Sequence, residues 1–267
     1  MINSITVKNL FGNGKNIDIA TPNAINIITG PNGIGKTTIL DMISWVCGDL
    51  CVVHNKLSHI KFDEICIKFS NGRDIVARPS DNPGVFTFAI RNGNDVLIEK
   101  MYNMFDDNLY DRKKIIRLYS GVDGIDTVSV KQDRSDRGII YSCFGNPFTD
   151  ETVAALNEIL KENFAYMDVR VDRNQHFFID DEKVAIGDMP LSILDTVTII
   201  ARIMNTSHDP TVFLIDTPEL YKHICVQERF IDTIMKYMPV GMEVIMVTHS
   251  PYIVSEYTDL CTKMNIQ

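Results

Sequence analysis

The chain has 267 residues, of which 45% are hydrophobic and 23% are charged. This length gives room for one large α/β domain, or one domain with a sizeable insertion, and leaves little room for a second independent catalytic domain. With 35 acidic and 26 basic residues the formal charge is -9, so the surface as a whole repels nucleic acid, and any such contact must come from a local patch. The acidity also argues against a membrane-surface role.

The N-terminal residues lack the basic and apolar pattern of an export signal, and no run of about 18 apolar residues occurs in the chain. We therefore expect a cytoplasmic protein that does not contact a membrane. Thiols stay reduced in that compartment, so the six cysteines are expected to act as small apolar packing residues.

The first 50 residues predict a hairpin followed by a strand, a glycine loop and a helix. Residues 2–7 and 16–20 have strand-like apolar patterns on either side of a Gly-Asn-Gly turn. Residues 24–29 form a continuous apolar run, which is typical of a buried strand, and residues 30–36 interrupt it with three glycines. From Thr37 the apolar residues recur at helical spacing.

The middle of the chain predicts strands and then an irregular segment. Between about 60 and 100, short apolar runs separated by Asn-Gly and Pro-Gly pairs indicate an antiparallel meander, which would form a β lobe with the N-terminal strands. Residues 103–148 are richer in Asp, Arg, Lys and Gly and show little periodicity. We interpret them as an exposed insertion or mobile arm.

The last 120 residues are regular again. A helix is predicted from Thr149 to Phe164, with Thr149 or Asp150 as its N-cap. The further predicted elements are strands at 167–171, 176–180 and 182–186, a helix at 191–205, a strand at 211–215, a helix at 223–238, a strand at 243–248 and a short helix from Pro251.

The glycine loop has the pattern GxxxxGK(S/T) in the strand-loop-helix context that this motif requires. Small residues let backbone N–H groups surround a phosphate chain, and the helix N-terminus adds partial positive charge. Lys36 would reach the β- and γ-phosphates of ATP, while the hydroxyl of Thr37 would bind Mg²⁺. The candidate nucleotide-binding residues of this loop are Asn32, Gly33, Ile34, Gly35, Lys36, Thr37 and Thr38.

Two further strands end in polar groups. The apolar run 211–215 leads into Asp216, which is either a magnesium ligand or a carboxylate that caps a turn. The run 243–248 leads into His249, which is either a contact near the γ-phosphate or a structural imidazole. Because ligands bind beyond the carboxyl ends of parallel strands, we expect both residues to converge with the glycine loop.

The segments GPNGIGKTT, FLIDTPELYKH and VIMVTHSPYIVSE, in this order and spacing, resemble the ATP-binding-cassette ATPases of the SMC, RecF and OLD type. More narrowly, the chain resembles the small AAA-like ATPases of prokaryotic defence systems, including those of Septu and retron-associated modules. The resemblance covers about residues 1–50 and 150–258. It implies a single ABC-type P-loop domain over 1–267, with an α/β fold in which helices flank a mostly parallel sheet and an antiparallel β lobe is added.

The resemblance also implies a homodimer or higher oligomer in which ATP lies between the P-loop of one subunit and a signature motif of the other. Lys36 and Thr37 would then be Walker A residues, Asp216 the Walker B magnesium ligand and His249 the switch histidine. The metal ligands would be Thr37 and Asp216, and the catalytic residues Lys36, His249 and a carboxylate.

The chain departs from this family at three places. Thr217 stands where the family often has a water-polarising glutamate, so Glu219 either replaces it or only caps the next helix. Ser192 is the best counterpart of the signature serine, although the family's glycine is missing, and otherwise it only N-caps its helix. Gln132 is the Q-loop candidate by elimination.

Two weaker patterns favour structural interpretations. Cys47, Cys51 and His54, with His59 beyond, have types suited to zinc, but their spacing is unusual and buried thiols are favoured. The basic run Arg112-Lys113-Lys114 with Arg117 could touch phosphates or an acidic partner, but it is more typical of a solvated loop.

From the resemblance we expect a dimerising ATPase, with slow turnover, that regulates a separate effector, a nuclease or a toxin, in anti-phage defence. We expect no nuclease domain of the OLD type after His249, and no SMC arms in the middle. One alternative is a RecF- or SMC-like ATPase that acts on DNA in repair or recombination. Another is a nucleotide-gated scaffold that does not hydrolyse ATP.

Overall fold

The computed structural model describes residues 1–47, 59–82, 84–103, 126–131, 147–205 and 211–264. These residues form two larger sheets, one small sheet and six α-helices. Within the described ranges, none of the helices is long and apolar enough to cross a membrane.

An antiparallel sheet of six strands contains the predicted hairpin and meander, in the order β2-β1-β4-β5-β6-β7. Apolar side chains alternate along these strands, so that Ile5 lies opposite Ile67 and both are fully buried. The strands are β1 (Ile2–Lys8), β2 (Ile17–Ala20), β4 (Glu64–Phe69), β5 (Arg73–Pro79), β6 (Val85–Asn92) and β7 (Asp95–Asn103).

A parallel sheet of five strands forms the centre of the molecule, in the order β14-β3-β13-β12-β8. This confirms the predicted α/β fold with a parallel core sheet. The strands are β3 (Ile25–Thr29), β8 (Asp126–Lys131), β12 (Thr211–Asp216), β13 (Glu243–Val247) and β14 (Cys261–Lys263).

The interpretation of 103–148 as an insertion or arm is wrong for residues 126–131. They form β8, which pairs in parallel with β12 from Asp126 opposite Thr211 to Lys131 opposite Asp216. The pattern DTVSVK is short and half polar, so it lacks the continuous apolar run by which buried parallel strands are recognised. Residues 104–125 and 132–146 of this segment lie outside the described residues.

Helix α1 (Lys36–Cys47) packs between the two larger sheets. Its buried side chains, Trp45 among them, share one apolar cluster with the antiparallel sheet and with Leu214 and Ile245 of the parallel sheet. The indole of Trp45 packs edge to face against Phe86 and Phe88, with ring centroids 4.7 and 4.9 Å away. Helix α1 is thereby packed against both larger sheets.

The opposite face of the parallel sheet is covered by helices and a small antiparallel sheet. Phe213 and Met246 point into this second cluster, because successive side chains of a strand face opposite sides. The covering elements are α2 (Asp150–Asn163), β9 (Val169–Val171), β10 (Phe177–Ile179), β11 (Glu182–Val184), α3 (Leu191–Asn205), α4 (Ile224–Glu228), α5 (Phe230–Tyr237) and α6 (Pro251–Val254).

The predicted helix 223–238 is two helices. They meet at Arg229, which is both the C-cap of α4 and the N-cap of α5. Val226 and Phe230 are buried on either side of the break, so the apolar spacing continues through it, and no glycine or proline marks it. The strand β14 was not predicted either, since three residues carry no periodicity.

The cysteines follow the expected packing role only in part. Cys66 is buried, and burial together with the neighbouring Asp74 carboxylate raises the pKa of its thiol to about 11. Cys225 is exposed on α4, so the prediction of an apolar packing residue is wrong there. Cys51 and Cys143 lie outside the described residues.

Candidate nucleotide-binding site

Three strands bring the predicted site residues to one edge of the parallel sheet. β3 and β12 both pair with β13, and the register places Asp216 opposite Val247 and Val247 opposite Ile28. The loops that follow these strands are therefore neighbours. This confirms that the glycine loop, Asp216 and the segment before His249 converge beyond the carboxyl ends of parallel strands.

The glycine loop runs from the end of β3 to the start of α1, with Asn32 and Gly33 exposed at its tip and Ile34 packed partly against the apolar cluster. Gly33 and Gly35 have φ of 76° and 104°, and such positive φ values are strained for other residue types. The Gly35 carbonyl accepts the Ile39 N–H at 2.9 Å. The backbone N–H groups of the loop residues that precede this bond therefore lie at the N-terminus of α1. Thr37 is exposed there and Thr38 half-buried.

A second loop packs against the glycine loop. Leu10 is buried and Phe11 is 45% exposed, and a Cβ on Gly35 would meet Phe11 Cε2 at 3.0 Å and Leu10 Cδ2 at 3.1 Å. The side chain of Asn9 fixes this loop by accepting the Gly14 N–H at 2.6 Å. The aromatic ring of Phe11 thus borders the candidate phosphate site.

Lys36 lies inside the glycine loop. Its ammonium donates to the carbonyls of Gly30 and Pro31, each at 2.8 Å, and only 4% of the residue is exposed. Burial lowers the pKa of Lys36, while the negative charges of Asp216 and Glu219 oppose that shift. Lys36, Asp216 and Glu219 therefore belong to one electrostatic cluster.

Asp216 ends β12 and is 8% exposed. The chain then turns sharply, because Thr217 has φ of 50°. The Thr217 amide donates to the Val247 carbonyl of the neighbouring strand at 2.8 Å. This strained turn directs the following residues across the end of β13. The residue that stands in place of a catalytic glutamate is therefore held by the backbone of the neighbouring strand.

Glu219 joins this turn to the loop after β13, which we call the switch loop (Thr248–Ser250). Its Oε2 accepts the hydroxyl of Thr248 at 2.7 Å, and its Oε1 accepts the backbone N–H of His249 at 2.9 Å. The alternative that Glu219 caps the next helix is wrong, because His223 is the N-cap of α4. The carboxylate instead contacts the segment that contains the candidate switch histidine.

His249 has an exposed side chain, whereas its two neighbours are buried. Ser250 caps α6 by accepting the N–H groups of Tyr252 and Ile253 at 3.1 and 3.4 Å. The backbone on both sides of His249 is thus fixed while its imidazole faces outward.

Ser192 is the second residue of α3, so the alternative that it N-caps this helix is wrong. It is half-buried, and its carbonyl accepts the hydroxyl of Thr196 at 2.8 Å. Pro190 supplies the carbonyl that accepts the Ile193 and Leu194 amides. The Ser192 side chain and the first amides of α3 are therefore at a helix N-terminus.

Three residues of this region were not found by sequence reasoning. The side-chain amide of Gln227 connects the switch loop to the segment after β12: its Oε1 accepts the Ser250 hydroxyl at 2.6 Å, and its Nε2 donates to the Lys222 carbonyl at 2.8 Å. Lys222 forms an ion pair with Asp195 of α3. No motif relates these residues, because the contacts arise only on folding.

Several sequence candidates lie outside the described residues. These are Gln132, which follows directly on β8, and Cys51, His54, Arg112, Lys113, Lys114 and Arg117. His59 is described and exposed.

The donors and acceptors at this edge fit a magnesium nucleotide. Backbone amides at a helix N-terminus and a buried ammonium suit a phosphate chain, and a hydroxyl with a strand-end carboxylate suits the hard cation that accompanies it. Lys36, Thr37 and Asp216 are the residues that would hold these groups.

Comparison with solved structures supports the α/β fold with a parallel core sheet. The chain is similar to an SMC head bound to the C-winged helix domain of ScpA, with a TM-score of 0.61, 15% identity and coverage of 100% of this chain and 97% of that chain. It is also similar to the SMC head domain from Thermotoga maritima, with a TM-score of 0.53, 15% identity and coverage of 100% and 98%. The fold is thus that of the SMC head, an ABC-type P-loop ATPase fold.

A search of curated proteins gives no match. A family model described as an AAA domain matches residues 4–182, about two thirds of the 267 residues. This match includes the glycine loop and the antiparallel sheet, and the chain therefore belongs to the AAA domain family of P-loop ATPases.

Proposed function

We propose that this protein binds ATP with Mg²⁺ at residues 32–38 and hydrolyses it slowly as a dimer, in which each nucleotide lies between the P-loop of one protomer and α3 of the other. The observation that carries this proposal is the electrostatic cluster at the sheet edge. Lys36 is coupled to Asp216 and Glu219, and Glu219 is hydrogen-bonded to the switch loop.

Each residue has a role that follows from its position. Lys36 would exchange its two loop carbonyls for phosphate oxygens, and Asp216 with Thr37 would hold the magnesium, which neutralises charge on the transferring phosphoryl group. Glu219 would orient the attacking water with the lone pairs that Thr248 and His249 leave unused. The His249 imidazole would contact the γ-phosphate, and Ser192 would contact the nucleotide of the partner protomer.

Slow turnover follows from the same contacts. Thr217 cannot accept a proton from water, and both oxygens of Glu219 already accept hydrogen bonds. The carboxylate must therefore share its lone pairs between the switch loop and the attacking water. The favoured outcome is a long-lived ATP state that ends with infrequent hydrolysis.

Phosphate release by the wild type, Lys36→Ala and Glu219→Gln tests the enzymatic part. We expect Lys36→Ala to be inactive, and Glu219→Gln to bind ATP but to be about 100-fold slower, in the range of a lost general base. Glu228→Gln, which changes an exposed carboxylate of α4, is the matched control and should equal the wild type. Equal rates for all four proteins would remove the enzymatic interpretation.

We further propose that the ATP state regulates a separate effector, a nuclease or a toxin, in anti-phage defence. The support is the resemblance to small defence ATPases, together with a fold that in a similar SMC head binds another protein, the C-winged helix domain of ScpA. Co-expression with the genomic neighbours, followed by purification with and without ATP, tests this. Recovery of the chain without any neighbour in either state would contradict it.

Two alternatives make different predictions. The engagement of both Glu219 oxygens favours a scaffold that dimerises on ATP without hydrolysis, and phosphate release at the level of Lys36→Ala with intact dimerisation would establish it. The resemblance to RecF and SMC ATPases favours an ATPase that acts on DNA, although the charge of -9 opposes it. ATP-dependent DNA binding that weakens steeply with salt would support that second alternative.

A further inference from the structure

We propose that the buried ion pair between Lys222 and Asp195 positions the first turn of α3, and with it Ser192, relative to the switch loop of the same protomer. This inference rests on the proposed function, since it concerns the helix that would face the partner's nucleotide. The role proposed for the pair is to position α3, which would lie at the interface of the dimer.

The pair joins two elements that sequence separates by 27 residues. Lys222 lies in the segment between Asp216 and α4, and its side chain has no exposed surface, while 15% of the Asp195 side chain is exposed. Asp195 follows Ser192 by three residues on α3, which places both on neighbouring positions of the same helical face. A shift of Lys222 therefore acts on the turn that carries Ser192.

Lys222 is in turn tied to the switch loop. Gln227 donates to the Lys222 carbonyl at 2.8 Å and accepts from Ser250 at 2.6 Å, and the Ser250 amide donates to the Thr248 hydroxyl at 3.0 Å. That hydroxyl donates to Glu219. An unbroken set of hydrogen bonds thus runs from the candidate catalytic carboxylate to α3.

A buried ion pair is poorly suited to provide stability alone. Removing two charges from water offsets much of their attraction, and apolar replacements of both partners are often neutral or stabilising. Burial lowers the pKa of Lys222, which reflects this cost, although the ammonium also packs 5.4 Å from the centre of the Phe230 ring. What apolar contacts would not provide is a directional bond to one carboxylate of α3.

If the pair positions α3, loss of the pair in one protomer impairs the nucleotide site of its partner. In the proposed dimer, a protomer whose α3 is misplaced keeps its own P-loop but presents Ser192 wrongly to its partner's nucleotide. ATP binding by single protomers would then stay normal, whereas dimerisation and hydrolysis would fall.

The test uses the double variant Lys222→Met/Asp195→Leu, which replaces both charges by apolar side chains and leaves neither buried charge unpaired. We expect a wild-type melting temperature and ATP affinity of the protomer, but about a tenfold loss in ATP-dependent dimerisation and in phosphate release, the size of a typical coupling between sites. Lys236→Met/Glu158→Leu removes an ion pair whose side chains are about half exposed, 50% and 51%, and should equal the wild type.

Mixing experiments separate positioning from a general defect. The double variant has an intact P-loop and Lys36→Ala has an intact α3, so their mixed dimer contains one complete site. We expect the mixture to release more phosphate than the two proteins measured separately. No gain on mixing, or full activity of the double variant alone, would overturn the proposed role of the pair.

The phosphate release and dimerisation of the wild type distinguish failure of the proposed function from failure of the positioning role. If wild type and Lys36→Ala are equally inactive and neither dimerises with ATP, the proposed function itself fails. If the wild type is active and the double variant loses its fold, the positioning role is tested by Gln227→Leu, which should retain the melting temperature and show the same gain on mixing.

Discussion

Gly35 is subject to two separate constraints at the candidate phosphate site. Its φ of 104° is unfavourable for any residue with a Cβ, and a Cβ there would lie 3.0 Å from Phe11 and 3.1 Å from Leu10. Gly33 shares only the first constraint, because its φ is 76° and nothing lies within 4 Å of a Cβ built on it. The pair offers a matched comparison within one loop.

We predict that Gly35→Ala lowers the free energy of unfolding and the affinity for Mg-ATP more than Gly33→Ala does. Backbone strain alone should cost each variant about 1–3 kcal/mol, and the steric contact adds to this only at Gly35. Urea unfolding and equilibrium binding of ATP measure the two effects. Adding Phe11→Ala should restore part of the Gly35→Ala loss and none of the Gly33→Ala loss, and equal losses in both variants would show that the Phe11 loop does not restrict the P-loop.

The sequence predicts the site only where a short motif carries it. The residues of the glycine loop, Asp216 and His249 were placed at one sheet edge because each follows an apolar strand, and parallel strands bring their carboxyl ends together. The contacts of Glu219 and the links through Gln227, Lys222 and Asp195 could not be predicted. These contacts depend on how the loops cross the strand ends. The spacing and periodicity of residues in the sequence do not predict the path of those loops.

Among the elements, α3 has the predicted bounds 191–205, whereas the equally periodic segment 223–238 breaks at Arg229. The shorter elements depend on tertiary contacts. β8 is a strand through its pairing with β12, and β14 through its pairing with β3. Neither has enough residues to show a pattern of its own, which is why tertiary structure decides both.

Helix α2 allows a test of a local signal that the sequence does contain. The hydroxyl of Thr149 accepts the Thr152 N–H at 3.1 Å, and two acidic residues follow in the first turn. We expect Thr149→Ala to lower the free energy of unfolding by about 1 kcal/mol, the usual effect of a lost N-cap. Chemical denaturation measures this, and Thr149→Ser, which keeps the hydroxyl, should lie close to the wild type; a serine variant as unstable as the alanine variant would contradict a capping role.

At the scale of the whole molecule, Glu243 connects the two larger sheets. It begins β13, is 1% exposed, and accepts the backbone N–H of Ile2 in β1 at 2.7 Å. Burial raises the pKa of this carboxyl from 4.5 to about 7, although the Ile2 N–H and the N-terminal ammonium oppose the shift. The folded protein therefore holds a proton at Glu243 that the unfolded chain releases at lower pH.

This difference predicts a stability that falls as pH rises from about 4.5 to 7, because the folded state binds more protons in that window. The full effect above pH 7 is about 3 kcal/mol. Glu243→Gln removes the titrating group, so its free energy of unfolding relative to the wild type should increase between pH 5 and pH 8, as measured by urea unfolding. Parallel pH profiles of the two proteins would contradict the assignment.

Glu64 provides a control of opposite sign. Burial alone would raise the pKa of this carboxyl, but hydrogen bonds and positive charge from Lys8 and Arg78 outweigh it and lower the pKa. Its contribution to stability is present above the unfolded pKa and is lost as pH falls. Glu64→Gln should therefore be less stable than the wild type at neutral pH, with a difference that shrinks under acidic conditions.

The position of β3 in the parallel sheet has a consequence for synthesis. This strand leads into the glycine loop, yet its two neighbours are β13 and β14, and the backbone of Met264 donates to Thr29 at 2.8 Å. The ribosome makes those partners more than 200 residues after β3. This strand therefore has no partner in the parallel sheet until the late residues have been synthesised. We expect ribosome-bound chains halted before residue 243 to retain no ATP, even though the whole GxxxxGK(S/T) motif has already emerged.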